Sequence, residues 1–128
     1  MKILHIEDTE SISESMGVFL QHHGFEYESI TDGRIGLALI GKNQYDVILL
    51  DLSMPDFNGY DVINSLVSNG LIQSQKIIVY TACTLTPKEV KRLLDLGVHS
   101  IHGKPLMGKR LIEKFKSIEK DCTVITTS

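Results

Sequence analysis

Two acids stand together at Glu7 and Asp8, a third at Asp51, a threonine at Thr81 and a lysine at Lys104. The acids and the threonine follow directly on short apolar runs, Ile3-Leu4-His5-Ile6, Val47-Ile48-Leu49-Leu50 and Ile77-Ile78-Val79-Tyr80. If those runs are neighbouring strands, the polar residues meet at one end. Three carboxylates about 5 Å apart repel by roughly 3 kcal/mol per pair at an effective dielectric near 20, more than one ammonium relieves. A hard divalent cation with oxygen ligands relieves it, and Mg²⁺ suits a site that offers about two carboxylates and leaves several waters in place. With the cation bound, one carboxylate becomes a nucleophile toward phosphorus. Asp51, flanked on both sides by site groups, is the better candidate. Lys104, Thr81, loop amides and the metal would then stabilise the equatorial oxygens of the transferring group.

The elements that must position these residues are legible as alternating strands and helices. Strands are expected at 2–6, 25–30, 46–50, 76–80 and 99–102. The third reads as a buried parallel strand because its apolar run does not alternate. Between them, a first helix over about 10–23 starts after Thr9 and stops at Gly24, with Ile12, Met16, Phe19, Leu20 and His23 at helical spacing. A second begins at Asp32-Gly33 and ends at Gly41, carrying Ile35, Ala38 and Leu39 with Leu37 and Ile40 further round. A third follows Asn58-Gly59 with Val62, Ile63, Leu66 and Val67 inward and ends near Asn69-Gly70. Thr86-Pro87-Lys88-Glu89 forms a capping box for a fourth, with Val90, Leu93 and Leu94 as its apolar side and Gly97 as its stop. Leu111, Ile112, Phe115 and Ile118 define a fifth.

Each parallel pairing needs a crossover, and the helices supply it. The expected fold is α/β, a flavodoxin-like five-stranded parallel sheet of order 2-1-3-4-5 with five helices on both faces. In that order the first and third strands are neighbours, so Glu7, Asp8 and Asp51 share the carboxyl edge with Thr81 and Lys104. The same crowding speaks against a flavin, since a phosphate after the first strand would be repelled by Glu7-Asp8.

A chain of 128 residues with 42% hydrophobic and 23% charged residues is sized for one domain with a real core. We expect residues 1–120 to form it and 121–128 to be a tail. No apolar run is long enough to cross a bilayer, and Glu7-Asp8 interrupts the first one too early for a signal peptide, so the expected location is cytoplasmic and no membrane partner is expected. A net charge of −3 gives no general attraction to nucleic acid. Cys83 and Cys122 lack metal-ligand spacing and are read as free, buried or semi-buried thiols, and the pairs His22-His23 and His99/His102 as surface or packing residues.

Glu7-Asp8, Asp51 with Met54-Pro55 and Gly59, Thr81-Ala82 and Lys104-Pro105, taken in order, resemble the receiver domain of two-component response regulators, of the stand-alone, chemotaxis-regulator-like kind. The resemblance covers essentially the whole chain. It implies a phosphorylation-activated signalling switch in which Asp51 accepts a phosphoryl group from a phosphohistidine on a sensor histidine kinase or histidine phosphotransfer protein. Asp8, Asp51 and the backbone carbonyl of Ser53 would ligate Mg²⁺, with Glu7 acting through water. Lys104 would pair with Asp51 and later with the phosphate. Thr81 would move toward a phosphoryl oxygen and change the surface of helix four, strand five and helix five, which controls a downstream protein. Such a domain catalyses its own phosphoryl transfer and autodephosphorylation and is not a turnover enzyme. It is expected as a monomer or a phosphorylation-linked dimer.

The resemblance has two departures. The family's usual aromatic three residues before the lysine is Ile101 here, so the inward swing of a ring at that position cannot be the readout. Ser53 and Cys83, two residues after Asp51 and Thr81, are modulating positions with Ala82, and they offer water no carboxamide or carboxylate guide. A haloacid-dehalogenase-like phosphatase also uses a strand-end aspartate and Mg²⁺, but needs a second acid where Ser53 stands. A degenerate receiver that binds a partner without phosphorylation would not need the full set of Glu7, Asp8, Asp51, Thr81 and Lys104.

Overall fold

A computed structural model describes residues 1–104, 112–113 and 115–118. The elements run β1 (Lys2–Ile6), α1 (Glu10–His22), β2 (Glu26–Ile30), α2 (Gly33–Lys42), β3 (Val47–Leu50), α3 (Gly59–Ser68), a 3₁₀ turn (Ile72–Ser74), β4 (Ile77–Thr81), α4 (Pro87–Leu96) and β5 (Ser100–Gly103). Residues 112–113 and 115–118 are helical and belong to the last expected helix, α5. The five strands are parallel in the order β2-β1-β3-β4-β5. Pro105, Leu111, Cys122 and the expected tail lie outside the described residues.

Strand alternation divides the core between the two faces of the sheet. Leu4, Ile6, Ile48, Leu50, Ile77 and Val79 pack on one face with Ile40 of α2, Val62, Ile63 and Leu66 of α3, and Leu93 of α4. Ile3, Val47, Leu49, Ile78 and Tyr80 pack on the other with Met16 and Leu20 of α1 and Ile112, Phe115 and Ile118 of α5. All four residues of β3 are buried, as its unbroken apolar run requires, whereas the β2 edge keeps an exposed side.

Local chemistry sets the helix starts. The Asp32 carboxylate accepts the Arg34 amide at the start of α2. Asn58 and Asp61 form a reciprocal capping box on α3, and Thr86 and Glu89 form another on α4, with Pro87 in its first turn. Thr9 occupies the N-cap position of α1, but its side chain accepts no capping bond.

Helix faces depart from the sequence reading on four helices. Ile35 is 50% exposed and Ala38 is also at the surface, while Gly33, Gly36 and Ile40 form the inner face of α2. A Cβ on Gly36 would stand 2.6 Å from Ile6 Cδ1, so glycine brings α2 against the sheet, a role that apolar spacing does not register. Leu94 and Val67 are 45% and 38% exposed, because Leu93 is the buried residue of α4 and Val62, Ile63 and Leu66 already fill the inner side of α3. His23 caps the end of α1 at the surface instead of joining its inner face. The 3₁₀ turn, for which the sequence carries no periodic signal, buries Ile72, whose Cγ1 lies 2.9 Å from where a Gly97 Cβ would be.

One polar chain crosses the α1 face. The Tyr27 hydroxyl donates to the Ser13 carbonyl at 3.0 Å, so its oxygen accepts from His5 Nδ1 at 2.6 Å. Burial, assisted by the Lys104 charge, lowers the His5 pKa to about 4 and keeps the ring neutral.

The closest backbone approach involves Gly59, whose amide donates to the Leu52 carbonyl at 3.3 Å. A Cβ there would lie 2.4 Å from the Asp51 carbonyl oxygen and 2.7 Å from Leu52 Cα, both backbone atoms that cannot rotate away. Gly59→Ala is therefore expected to lower unfolding stability by about 2 kcal/mol or more in chemical denaturation. Gly41→Ala, which meets nothing within 4 Å, should raise it by roughly 0.5–1 kcal/mol. Equal effects at the two positions would contradict the packing argument.

Candidate functional site

Strand register builds the site. Ile6 pairs with Leu50, so the next residues, Glu7 and Asp51, emerge side by side at the carboxyl edge of the sheet. Thr81 ends β4 and pairs with Gly103, and the Lys104 amide donates to the Thr81 carbonyl at 2.9 Å. Two further backbone bonds fix this edge, from the Glu7 amide to the Ile30 carbonyl at 3.0 Å and from the Asp51 amide to the Ile6 carbonyl at 3.1 Å. Glu7, Asp51, Thr81 and Lys104 thus come from a strand end or the residue just beyond one, which limits their movement, and Asp8 follows one residue further on.

Glu7, Asp8 and Asp51 each offer a carboxylate oxygen, and the three oxygens lie within 4.8 Å of one another. Glu7 is wholly buried, Asp51 is 4% exposed and Asp8 is partly exposed. Lys104 Nζ forms an ion pair with Glu7 Oε1 and a second with Asp51 Oδ2 at 3.3 Å. Asp51 Oδ1 accepts the Ser53 amide at 3.0 Å, so both of its oxygens are engaged.

The resemblance implied that Lys104 pairs with Asp51; the structure adds Glu7 as its closer partner. A fully buried carboxylate needs a cation, and the Lys104 ammonium reaches it. Burial still pushes the Glu7 carboxyl above its ordinary range, with the Lys104 hydrogen bond opposing and Asp51 adding to the rise. Burial alone would lower the Lys104 pKa, but Glu7 and Asp51 outweigh it and the net direction is upward. One ammonium therefore holds two acids without fully offsetting the confinement of Glu7.

Thr81 is buried, and its Oγ1 accepts the Cys83 amide at 3.2 Å. Ala82 and Cys83 are exposed beside it, so Cys83 is not the buried or semi-buried thiol expected, because it stands in the loop beyond the end of β4; its thiol contacts the Ser53 hydroxyl across the mouth of the site. Ser53 and Cys83 thus meet as a small polar pair. Ile101 pairs with Val79 and packs, half-buried, against the core on the α4 side.

All donors of the acid cluster are oxygens, one ammonium faces three acids, and Asp8 remains open to solvent. That set fits a hard divalent cation such as Mg²⁺ and offers no nitrogen or sulfur ligand. The register also keeps Asp51 next to a hydroxyl-bearing strand end and an ammonium, the components that stabilise charge on a transferring phosphoryl group.

Sequence reasoning missed Tyr60. Its hydroxyl donates to Glu89 Oε2 at 3.5 Å, linking α3 to the first turn of α4. Burial and the Glu89 charge raise its pKa. The position directly after Gly59 marked it as near the site, but its partner depends on how α3 and α4 pack.

Several known proteins are similar to this chain. Response regulator ArlR of Staphylococcus saprophyticus is 31% identical over 117 residues, covering 91% of this chain and 51% of that protein. Sensory transduction protein RegX3 of Mycobacterium tuberculosis is 30% identical over 118 residues, covering 91% and 49% respectively. The chain thus spans about half the length of these curated relatives. Among solved structures, the chemotaxis response regulator CheY4 of Vibrio cholerae superposes with a TM-score of 0.79 at 26% identity, covering 91% of this chain and 97% of that one. Response regulator protein TrrA of Thermotoga maritima, solved in complex with Mg²⁺ and BeF, gives 0.76 at 26% identity with the same coverages. Residues 3–116 match the family model described as the response regulator receiver domain. With that match spanning most of the sequence and the sheet order in agreement, the chain belongs to the receiver domain family of response regulators.

Proposed function

We propose that this protein is a phosphorylation-activated switch that accepts a phosphoryl group on Asp51. The observation that carries the reading is the convergence of the Glu7, Asp8 and Asp51 oxygens within 4.8 Å, with Lys104 bridging two of them. A buried cluster of that charge is unfavourable as a structural device and useful as a phosphoryl-transfer site.

Asp8, Asp51 and the Ser53 carbonyl would hold Mg²⁺, with Glu7 acting through water, and the ion would neutralise charge on the phosphoryl oxygens. An Asp51 carboxylate oxygen attacks the phosphorus of a phosphohistidine, the P–N bond breaks, and the imidazole leaves with its electron pair and takes up a proton. Lys104 turns from Asp51 to the phosphoryl oxygens, and Thr81 exchanges the Cys83 amide for one of them. The changed site alters the surface of α4, β5 and α5, which a downstream protein reads. The donor is a sensor histidine kinase or histidine phosphotransfer protein. The protein transfers and loses its own phosphoryl group without turning over a separate substrate.

Residues 1–120 act as the switching unit and 121–128 as a tail. No described helix is long and apolar enough to cross a membrane, and we place the protein in the cytoplasm. The net charge of −3 agrees with a protein partner and no direct nucleic-acid contact, in a monomer or a phosphorylation-linked dimer.

Incubation with Mg²⁺ and acetyl phosphate should add one base-labile phosphoryl group by intact mass, absent from Asp51→Asn and prevented by excess EDTA. Sustained phosphate release from varied monoesters would favour the phosphatase, and a folded protein that stays unmodified would favour the degenerate receiver. Mg²⁺ at a hundredfold over its dissociation constant should stabilise the fold by about 2.7 kcal/mol in thermal unfolding. Asp8→Asn should abolish that effect while raising metal-free stability by roughly 1 kcal/mol, because one repelling charge is gone. A variant that loses stability without metal and still responds to Mg²⁺ would contradict the shared-site reading.

A further inference from the structure

Phosphorylation of Asp51 must reach α4 without an aromatic ring at Ile101. The residues between them divide into a part held to the sheet and a part free to shift. Gly59 is pressed against the Asp51 and Leu52 backbone, so the start of α3, with Tyr60, is held at the site. The loop from Ala82 to Thr86 is joined to Thr81 through the Cys83 amide and carries the N-cap of α4. Of α4 itself, Leu93 is the one fully buried residue and Leu96, in the last turn, is partly buried against the core, so the apolar packing of the helix lies toward its end and its first turn is held by polar bonds.

Tyr60 spans these two parts. Its hydroxyl donates to Glu89 Oε2 at 3.5 Å, while Glu89 Oε1 accepts the Thr86 amide at 3.3 Å and the Thr86 hydroxyl at 3.0 Å. One carboxylate therefore closes the capping box with one oxygen and meets α3 with the other. Between the helices lies a groove of about 350 Å³, lined by Tyr60 and Ile63 from α3 and by Glu89, Arg92, Leu93 and Leu96 from α4, so the two helices are not packed tightly together along it.

We propose that the Tyr60 hydroxyl is a positioning group, a latch that holds the start of α4 in its resting place through Glu89 and opens when the Thr81 loop moves. The inference rests on the reading of Asp51 as phosphoryl acceptor and names the side chain that couples it to α4. When Thr81 gives up the Cys83 amide, the loop carries Thr86 and Glu89 away from Tyr60, and the bond is made in the resting arrangement alone. An interaction confined to one state opposes whatever favours the other, and removing it shifts the balance reciprocally.

The test is equilibrium binding of beryllofluoride, a phosphoryl analogue, in the presence of Mg²⁺. Tyr60→Phe keeps the ring and removes the hydroxyl, so its apparent affinity should rise roughly two- to fivefold over wild type, the lower end of what a hydrogen bond contributes, because this one is long and exposed although its acceptor is a carboxylate. In the wild-type protein the Tyr60 ring resonances should also shift on saturation as Glu89 withdraws. Equal or weaker affinity in Tyr60→Phe overturns the latch, even if the variant melts at a lower temperature, because a merely structural hydroxyl would move stability and leave the affinity ratio at one. Tyr60 resonances unmoved in saturated wild type overturn it independently of the variant. Wild-type protein that binds no beryllofluoride overturns the phosphoryl-acceptor reading and the latch with it, a result distinct from equal binding by both proteins.

Discussion

Repulsion among acids that the sheet register forces together is the constraint on which the site depends. Ile6 beside Leu50 makes Glu7 and Asp51 neighbours, and neither can retreat because each amide is bonded to an adjacent strand. Lys104 reaches two of the acids, but burial still raises the pKa of Glu7. The cluster is thus held in a state that a divalent cation or a phosphoryl group at Asp51 would change strongly, and a packed fold transmits such local charge changes by moving elements that have alternatives.

The surroundings divide accordingly. The β3 strand, α3 and the Gly59 contact hold Asp51 rigidly, since they combine full burial, a capping box and backbone approach without slack. The α4 side is held by polar bonds at its first turn and further along by buried Leu93 and partly buried Leu96. Rigid where chemistry needs alignment and lightly held where a signal would leave, this arrangement matches the demands on a switch. The Ser53 and Cys83 pair at the mouth joins the β3 and β4 loops, so a change at either is felt at the other.

Much of this was legible in the sequence because the relevant signals are local. Apolar runs ending in Glu7, Asp51 and Thr81 fix the strand ends, and parallel topology then brings them to one edge. Thr86 with Glu89 announces its helix within four residues. What escaped depends on approach distances and partners distant in sequence. Gly36 faces the sheet because it lacks a side chain, so spacing of Ile35 and Ala38 pointed to the wrong side of α2. The bridge from Lys104 to both Glu7 and Asp51 depends on where three strand ends set the ammonium, and Tyr60 meets Glu89 through the packing of two helices.

The central claim is that the carboxylate at position 51, held among Glu7, Asp8 and Lys104, is the group that receives phosphorus. Borohydride reduces an acyl phosphate to an alcohol and so converts a phosphorylated aspartate to homoserine, which peptide sequencing by mass spectrometry locates. After incubation with a phosphodonor and Mg²⁺, the account predicts homoserine at position 51 and none when the metal is withheld. Homoserine at another acid, or unaltered Asp51 in folded, metal-loaded protein, would contradict it.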